Sequence, residues 1–185
     1  MKIYGKKRKT KYVILGLLSH APHTGYDIKK YIEHALGHFW NESYGQIYPA
    51  LKQLALEGYI QQIDDPNATV KEKKKYAITD LGKKELNHYL QLPIEEDKMR
   101  NELLLKTFFA ENVNRKVIIS HLEAYKRTKS IQYDELCIYE RVLIKMLPED
   151  PKHKYQLYTL KCGKKIYKAF MDWCDETILD IKLNS

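Results

Sequence analysis

The sequence predicts a mainly α fold with one short β-hairpin, organised as a compact N-terminal part followed by a part built on long helices. Three observations predict it. Apolar residues recur at i, i+3, i+4 and i+7 in one segment after another. Only residues 59–63 and 74–79 carry strand chemistry, and the turn-rich Asp64-Asp65-Pro66-Asn67 stands between them. Pro93, Pro148 and Pro151 fall where helical patterns stop. At 185 residues the chain is long enough for one ordinary domain or two small ones.

The formal net charge of +8 points to an anionic partner: nucleic acid, an anionic membrane surface or an acidic protein. The longest uncharged apolar run, residues 12–18, is far short of the roughly 20 residues a membrane span needs. No secretory pattern of basic, apolar and small-residue regions is present. Cys137, Cys162 and Cys174 cannot all pair and form no C-x-x-C. They read as reduced thiols of a cytoplasmic protein, buried as small hydrophobes.

The elements follow in order. Residues 12–18 are apolar nearly all round, as in a fully buried helix. Thr24 followed by Asp27 is a helix-start signature, and Ile28, Tyr31, Ile32, Ala35 and Leu36 then form one apolar face, with Gly37 as the stop. Ser43 and Gln46 can form a capping box. Ile47, Ala50, Leu51, Leu54 and Ala55 repeat the spacing up to Gly58. Pro49 lies inside this pattern, and a local kink is expected there. The two strand segments make a hairpin with an exposed tip, and Thr79 opens another helix that runs to about residue 90.

Two short helices joined by a tight turn and followed by a two-stranded hairpin make a winged helix-turn-helix. In such a unit the second helix enters the DNA major groove and the wing lies along the backbone. With Ile47, Leu51 and Leu54 turned inward, Gly45, Tyr48, Lys52, Gln53 and Leu56 face outward, flanked by Tyr44 and Gln46. Glutamine amides suit bidentate contact with adenine. Tyrosines suit phosphates or thymine methyls.

The residues Thr24-Gly-Tyr-Asp-Ile28, Phe39-Trp40, Gly45-Gln-Ile-Tyr-Pro-Ala-Leu51, Leu54 and Glu57-Gly-Tyr-Ile60 resemble the PadR family of bacterial transcriptional regulators. Lys75-Tyr-Ala-Ile-Thr79 followed by Gly82 resembles that family's second wing strand and next helix. Asn101-Glu-Leu-Leu-Leu-Lys-Thr-Phe-Phe109 resembles the start of the AphA-like C-terminal domain of the longer PadR subgroup. Gly163, Tyr167 and Trp173 resemble its closing helix more loosely. The resemblance implies a homodimeric repressor of double-stranded DNA. Ser43, Tyr44, Gln46, Tyr48 and Lys52 would lie on its recognition helix and Lys73, Lys74 and Lys75 on its wing. Some relatives respond to phenolic acids, but the matched motifs belong to the fold and do not carry an effector's identity.

The expected domains are residues 1–92, with 1–11 as a basic tail, and residues 93–185, a long-helix dimerisation domain. In the second half Ile118, Leu122, Tyr125, Leu136, Tyr139, Leu143 and Met146 form a heptad seam with Lys129 and Gln132 as a polar middle. A final helix from residue 154 to about 183 carries Tyr158, Cys162, Ile166, Ala169, Trp173 and Thr177, with Phe170, Cys174, Ile178 and Ile181 beside them. A stripe that wide suits packing, together with the Met99 to Phe109 segment, against a second subunit. Phe39, Trp40, Phe108, Phe109, Tyr167, Phe170 and Trp173 are candidates to line an effector pocket, although aromatic residues at helical spacing are more often core.

His34 and His38 have a metal-ligand spacing with no third ligand in evidence. No catalytic motif is present, so neither an enzyme nor a cofactor is expected. The alternative function is a winged-helix module that binds protein or RNA without reading an operator. Six basic residues and no acid lie between Lys2 and Lys11, and four lysines and one glutamate between Lys71 and Lys75. The proposed recognition helix, residues 44–58, is neutral. This division suits phosphate attraction by tail and wing and base reading by the helix.

Overall fold

The computed structural model describes residues 9–64, 74–96, 99–150 and 153–184. The chain forms two compact units, residues 1–96 and 97–185. The first contains α1 (Lys9–Leu18), β1 (His23–Thr24), α2 (Gly25–Tyr31) continued by a π turn (Ile32–Leu36), α3 (Tyr44–Leu56), β2 (Ile60–Asp64), β3 (Lys74–Ile78) and α4 (Asp80–Gln91).

The expected inward faces meet in one core. Ile14, Leu15, Ile28, Ile32, Ile47 and Leu51 are fully buried, with Leu54 and Ile60 nearly so. Capping fixes where the helices begin. The Thr24 hydroxyl accepts from the Asp27 N–H at 3.1 Å, and Asp27 accepts from the Thr24 N–H at 3.0 Å. The end of α3 depends on Gly58, whose φ of 74° lies in the left-handed region. There the Gly58 and Tyr59 N–H groups bond the carbonyls of Ala55 and Leu54, satisfying the last turn. Gly37 also sits at a helix end, but at φ −57°, so its left-handed freedom is not used.

Three features differ from expectation. Ala35 is exposed, because the wider π turn over 32–36 rotates it away from the Ile28–Ile32 face. Residues 23–24 form a third strand, giving the antiparallel order β1-β3-β2 with His23 opposite Tyr76 and Thr24 opposite Lys75. A two-residue strand has no periodicity to read and exists only through its partner. Finally, the expected basic tail ends early: α1 begins at Lys9, and Thr10 is buried with its hydroxyl donating to Glu42 at 3.0 Å. At Pro49, α3 continues unbroken. The N–H that proline lacks would have bonded the Gly45 carbonyl, and both residues are exposed where water can serve that oxygen.

The second unit contains α5 (Glu102–Phe108), a 3₁₀ turn (Ala110–Asn112), α6 (Arg115–Met146) and α7 (His153–Leu183). Asn101 caps α5, accepting from the Leu103 N–H at 2.9 Å, while its amide donates to the Tyr125 hydroxyl at 2.9 Å. α6 and α7 pack antiparallel through two apolar clusters. Ile118 and Leu122 meet Leu103, Cys174 and Ile178, while Leu136 meets Leu160 and Tyr167.

The polar middle of the seam holds Lys129. Its ammonium donates to Gln132 at 2.8 Å and lies 5.1 and 4.8 Å from the ring centroids of Tyr125 and Tyr167. Burial pushes the Lys129 pKa down and those of Tyr125 and Tyr167 up. The seam does not extend to Tyr139 and Met146, which are exposed. On α7 the buried line is Leu157, Leu160, Gly163, Tyr167, Cys174 and Ile178. Tyr158, Cys162 and Ile166 are exposed, since one partner helix covers only part of so wide a stripe. Of the three free thiols, only Cys174 is a buried small hydrophobe; Cys137 is half-buried and Cys162 exposed.

Candidate nucleic-acid interface

The outward face of α3 follows from its inward one. Because Ile47, Leu51 and Leu54 anchor the helix, Tyr44, Tyr48, Lys52, Gln53 and Leu56 are exposed. The Tyr44 and Tyr48 rings stack with centroids 6.0 Å apart and planes 22° apart. Tyr48 is seated by a glycine: a Cβ built on Gly25 would stand 2.7 Å from Tyr48 Cε1. The absence of a side chain at the start of α2 is therefore what lets the Tyr48 ring lie there.

Both glutamines are already partly engaged. The side-chain oxygen of Gln46 accepts from the Ser43 N–H and the Ser43 hydroxyl, both at 2.9 Å. This leaves the Gln46 amide NH₂ as its outward group. Gln53 donates to Glu57 at 2.7 Å, which leaves its oxygen. A bidentate contact from Gln46 requires its cap bonds to open, whereas Gln53 keeps its oxygen and its second N–H.

The wing strands run in register from Ile60 opposite Ile78 to Asp64 opposite Lys74. Lys74 is exposed at their outer end, and Lys75 is half-buried. Lys75 lies between Ile63 and Thr24, so the wing base is joined directly to the start of α2. Lys73 lies outside the described residues, as do residues 1–8 of the tail. Two of the tail's cations are turned to the fold: Lys9 pairs with Glu95 at 3.0 Å and Lys11 with Glu85 at 2.9 Å.

Two side chains absent from the sequence-based site border this face. Tyr26 and Lys30 are exposed one turn apart on α2, and the Lys30 ammonium lies 4.6 Å from the Tyr26 ring centroid. A hydrogen bond to Tyr26, with further contributions from Tyr44 and Asp27, holds the Lys30 pKa above its ordinary value. The readable signal was their i, i+4 spacing on the side of α2 away from Ile28 and Ile32.

The candidate effector residues fall in both units. In the first, Phe39 is exposed against His38 and Trp40 is half-buried, its indole N–H donating to Glu42 at 2.9 Å. In the second, Phe108 and Phe109 are exposed against each other. Tyr167, Phe170 and Trp173 pack within the α6–α7 pair: Tyr167 on Leu136, Phe170 edge-on to Tyr125, and Trp173 on the Leu122–Cys174 cluster. Among the described residues no group of three metal-ligating side chains comes together, and no helix is long and apolar enough to cross a membrane.

Residues 14–88 match the transcriptional regulator PadR-like family, and residues 99–182 match the virulence activator alpha C-terminal family. The chain is 43% identical over 110 residues to the negative transcriptional regulator PadR of Bacillus subtilis, across 58% of this chain and 60% of that protein. It resembles the crystal structure of Bacillus subtilis PadR in complex with operator DNA with a TM-score of 0.81 and 32% identity, covering 94% of this chain and 98% of that one. It also resembles Bacillus subtilis PadR in complex with p-coumaric acid, with a TM-score of 0.73 and 29% identity over 97% and 99% of the two chains. These relatives are transcriptional regulators and not enzymes. With matches running through both units, the chain belongs to the PadR family of transcriptional regulators, in the branch that carries a virulence-activator type of helical C-terminal domain.

Proposed function

We propose that the protein is a homodimeric repressor that binds an inverted-repeat operator and is released by a small aromatic acid. The observation that carries the DNA-binding part is the exposed, uncharged-to-weakly-basic face of α3, flanked by the wing lysines. In this reading Ser43, Tyr44, Gln46, Tyr48, Lys52 and Gln53 meet the major groove, and Lys73, Lys74 and Lys75 meet phosphates. Similarity to a regulator whose structure includes operator DNA supports it. Similarity to a negative transcriptional regulator supports repression.

The dimer rests on apolar residues that the α6–α7 pair leaves exposed, among them Ile131, Ile138, Val142, Tyr158 and Ile166. A surface of that kind suits a second copy of the chain. Two recognition helices about one DNA turn apart then require an inverted repeat. The p-coumaric acid complex of a relative supports an aromatic acid as effector. Small shifts of the helical arms would change the spacing of the two recognition helices and so release DNA.

The deciding experiment is binding to a palindromic duplex from upstream of the protein's own gene across a range of salt. Salt-dependent, sequence-selective binding is expected; binding to no genomic duplex would favour a protein- or RNA-binding module. Sedimentation equilibrium returning 21.9 kDa at micromolar concentration would rule out the dimer. Saturable quenching of Trp fluorescence by an aromatic acid tests the effector. A reporter in a deletion strain gives the sign of regulation.

A further inference from the structure

We infer that Tyr26 and Lys30, on the outer face of α2, form a clamp for a backbone phosphate of duplex DNA beside the α3 face. The inference rests on the DNA-binding reading above and adds to it a second point of attachment on a different helix.

The two residues continue the α3 face across the helix boundary. The Tyr48 ring lies against Gly25, the residue before Tyr26. Tyr44 stacks on Tyr48 and stands near enough to Lys30 to bear on its protonation. Lys30 in turn lies over the Tyr26 ring. Tyr48, Tyr44, Lys30 and Tyr26 therefore form one exposed strip of three phenols and a cation.

The strip has the chemistry of a phosphate site. Its outward groups are hydroxyls and an ammonium, which donate to phosphate oxygens. The nearby carboxylate acts on Lys30 through space only. Asp27 is turned to the helix cap, accepting from both the N–H and the hydroxyl of Thr24. Three other cations of this unit are engaged in ion pairs: Lys29 with Glu33 at 2.9 Å, and Lys9 and Lys11 with Glu95 and Glu85. Lys30 instead rests on an aromatic face, which limits its rotamers and lowers the entropy lost on binding. The β1–β3 pairing places the start of α2 next to Lys75, so clamp and wing base adjoin.

The test is fluorescence-anisotropy titration of the full chain across a salt series. The probes are a duplex from upstream of its own gene and a scrambled duplex of equal length. Lys30→Ala is expected to reduce the magnitude of the log–log salt slope by about 1 on both duplexes, leaving their affinity ratio unchanged. Lys30→Arg is expected to keep the wild-type slope. Tyr26→Phe, which removes only the hydroxyl, is expected to weaken both duplexes by roughly three- to tenfold with the slope intact. A Lys30→Ala protein with the wild-type slope would overturn the clamp, and so would a change in the affinity ratio, which would mean base reading. A wild-type protein that binds neither duplex would instead overturn the DNA-binding reading itself.

Discussion

Two glycines of the first unit lack a side chain for different reasons, and substitution separates them. At Gly25 an added Cβ meets the far end of Tyr48 at 2.7 Å and Leu51 Cδ1 at 3.2 Å. Tyr48 is half exposed and can swing outward. Gly25→Ala is therefore expected to change stability by less than about 1 kcal/mol, since added helix propensity offsets part of the crowding. Operator affinity should fall several-fold, a combination that paired thermal melts and DNA titrations would reveal. At Gly82 the added atom would stand 2.1 Å from the Tyr59 carbonyl oxygen, which is backbone and cannot swing away. Gly82→Ala is expected to cost about 3 kcal/mol or more, visible as a lower urea midpoint followed by Trp40 fluorescence. The motif containing Gly25 was legible in the sequence, but its contact with Tyr48 was not, because the two residues meet only when α2 and α3 pack. Gln46 shows the same limit. Its outward position followed from spacing, whereas its commitment to the Ser43 cap is a matter of side-chain geometry.

At the scale of elements, two helix contacts carry pH dependence of the same sign in opposite ranges: both gain stability as pH rises, one in acid and the other in alkali. α1 meets α4 through Lys11, Tyr12 and Glu85, and the Tyr12 and Tyr89 rings stack 3.6 Å apart. The hydrogen bond from Lys11, reinforced by that from Tyr12, holds the Glu85 carboxyl below its ordinary value of 4.5. A depressed carboxyl adds stability above its unfolded pKa and loses it as pH falls through the folded one. Glu85→Gln should therefore be less stable than wild type at neutral pH, and the gap should close in acid, as urea midpoints across a pH series would show. In the α6–α7 pair burial lowers the Lys129 pKa from 10.5, so its charge costs stability at neutral pH and the cost is relieved as pH rises through the folded value. Lys129→Met keeps the volume without the charge and is expected to raise stability by about 1 kcal/mol at neutral pH, read as a higher Tm. The gain should shrink in alkali. The heptad seam and its polar middle were legible because the period is local. The buried side of α7 was not, because its apolar residues run so far round the helix that the partner helix chooses among them.

For the whole molecule, the net charge of +8 resolves into parts with different work. Replacing Lys73, Lys74 and Lys75 together by alanine is expected to flatten the salt dependence of binding on every duplex. Replacing Gln46 by alanine should instead reduce preference for the operator with the slope retained. Parallel titrations of specific and scrambled DNA would decide, and identical behaviour of the two variants would contradict the division. The sequence by itself determined the types and order of the main elements, their caps and the outward face of α3. Each of these depends on residues within about four positions of one another, where hydrogen-bonding geometry and helical period act directly. Only the tertiary structure decided that residues 23–24 become a strand, since Thr24 needs Lys75 beside it. It also decided that Lys9 and Lys11 spend their charge on Glu95 and Glu85, and that Lys30 stands over Tyr26 near Tyr44. Those outcomes depend on which distant segments share a surface, and pairings of that kind leave no period in a single chain.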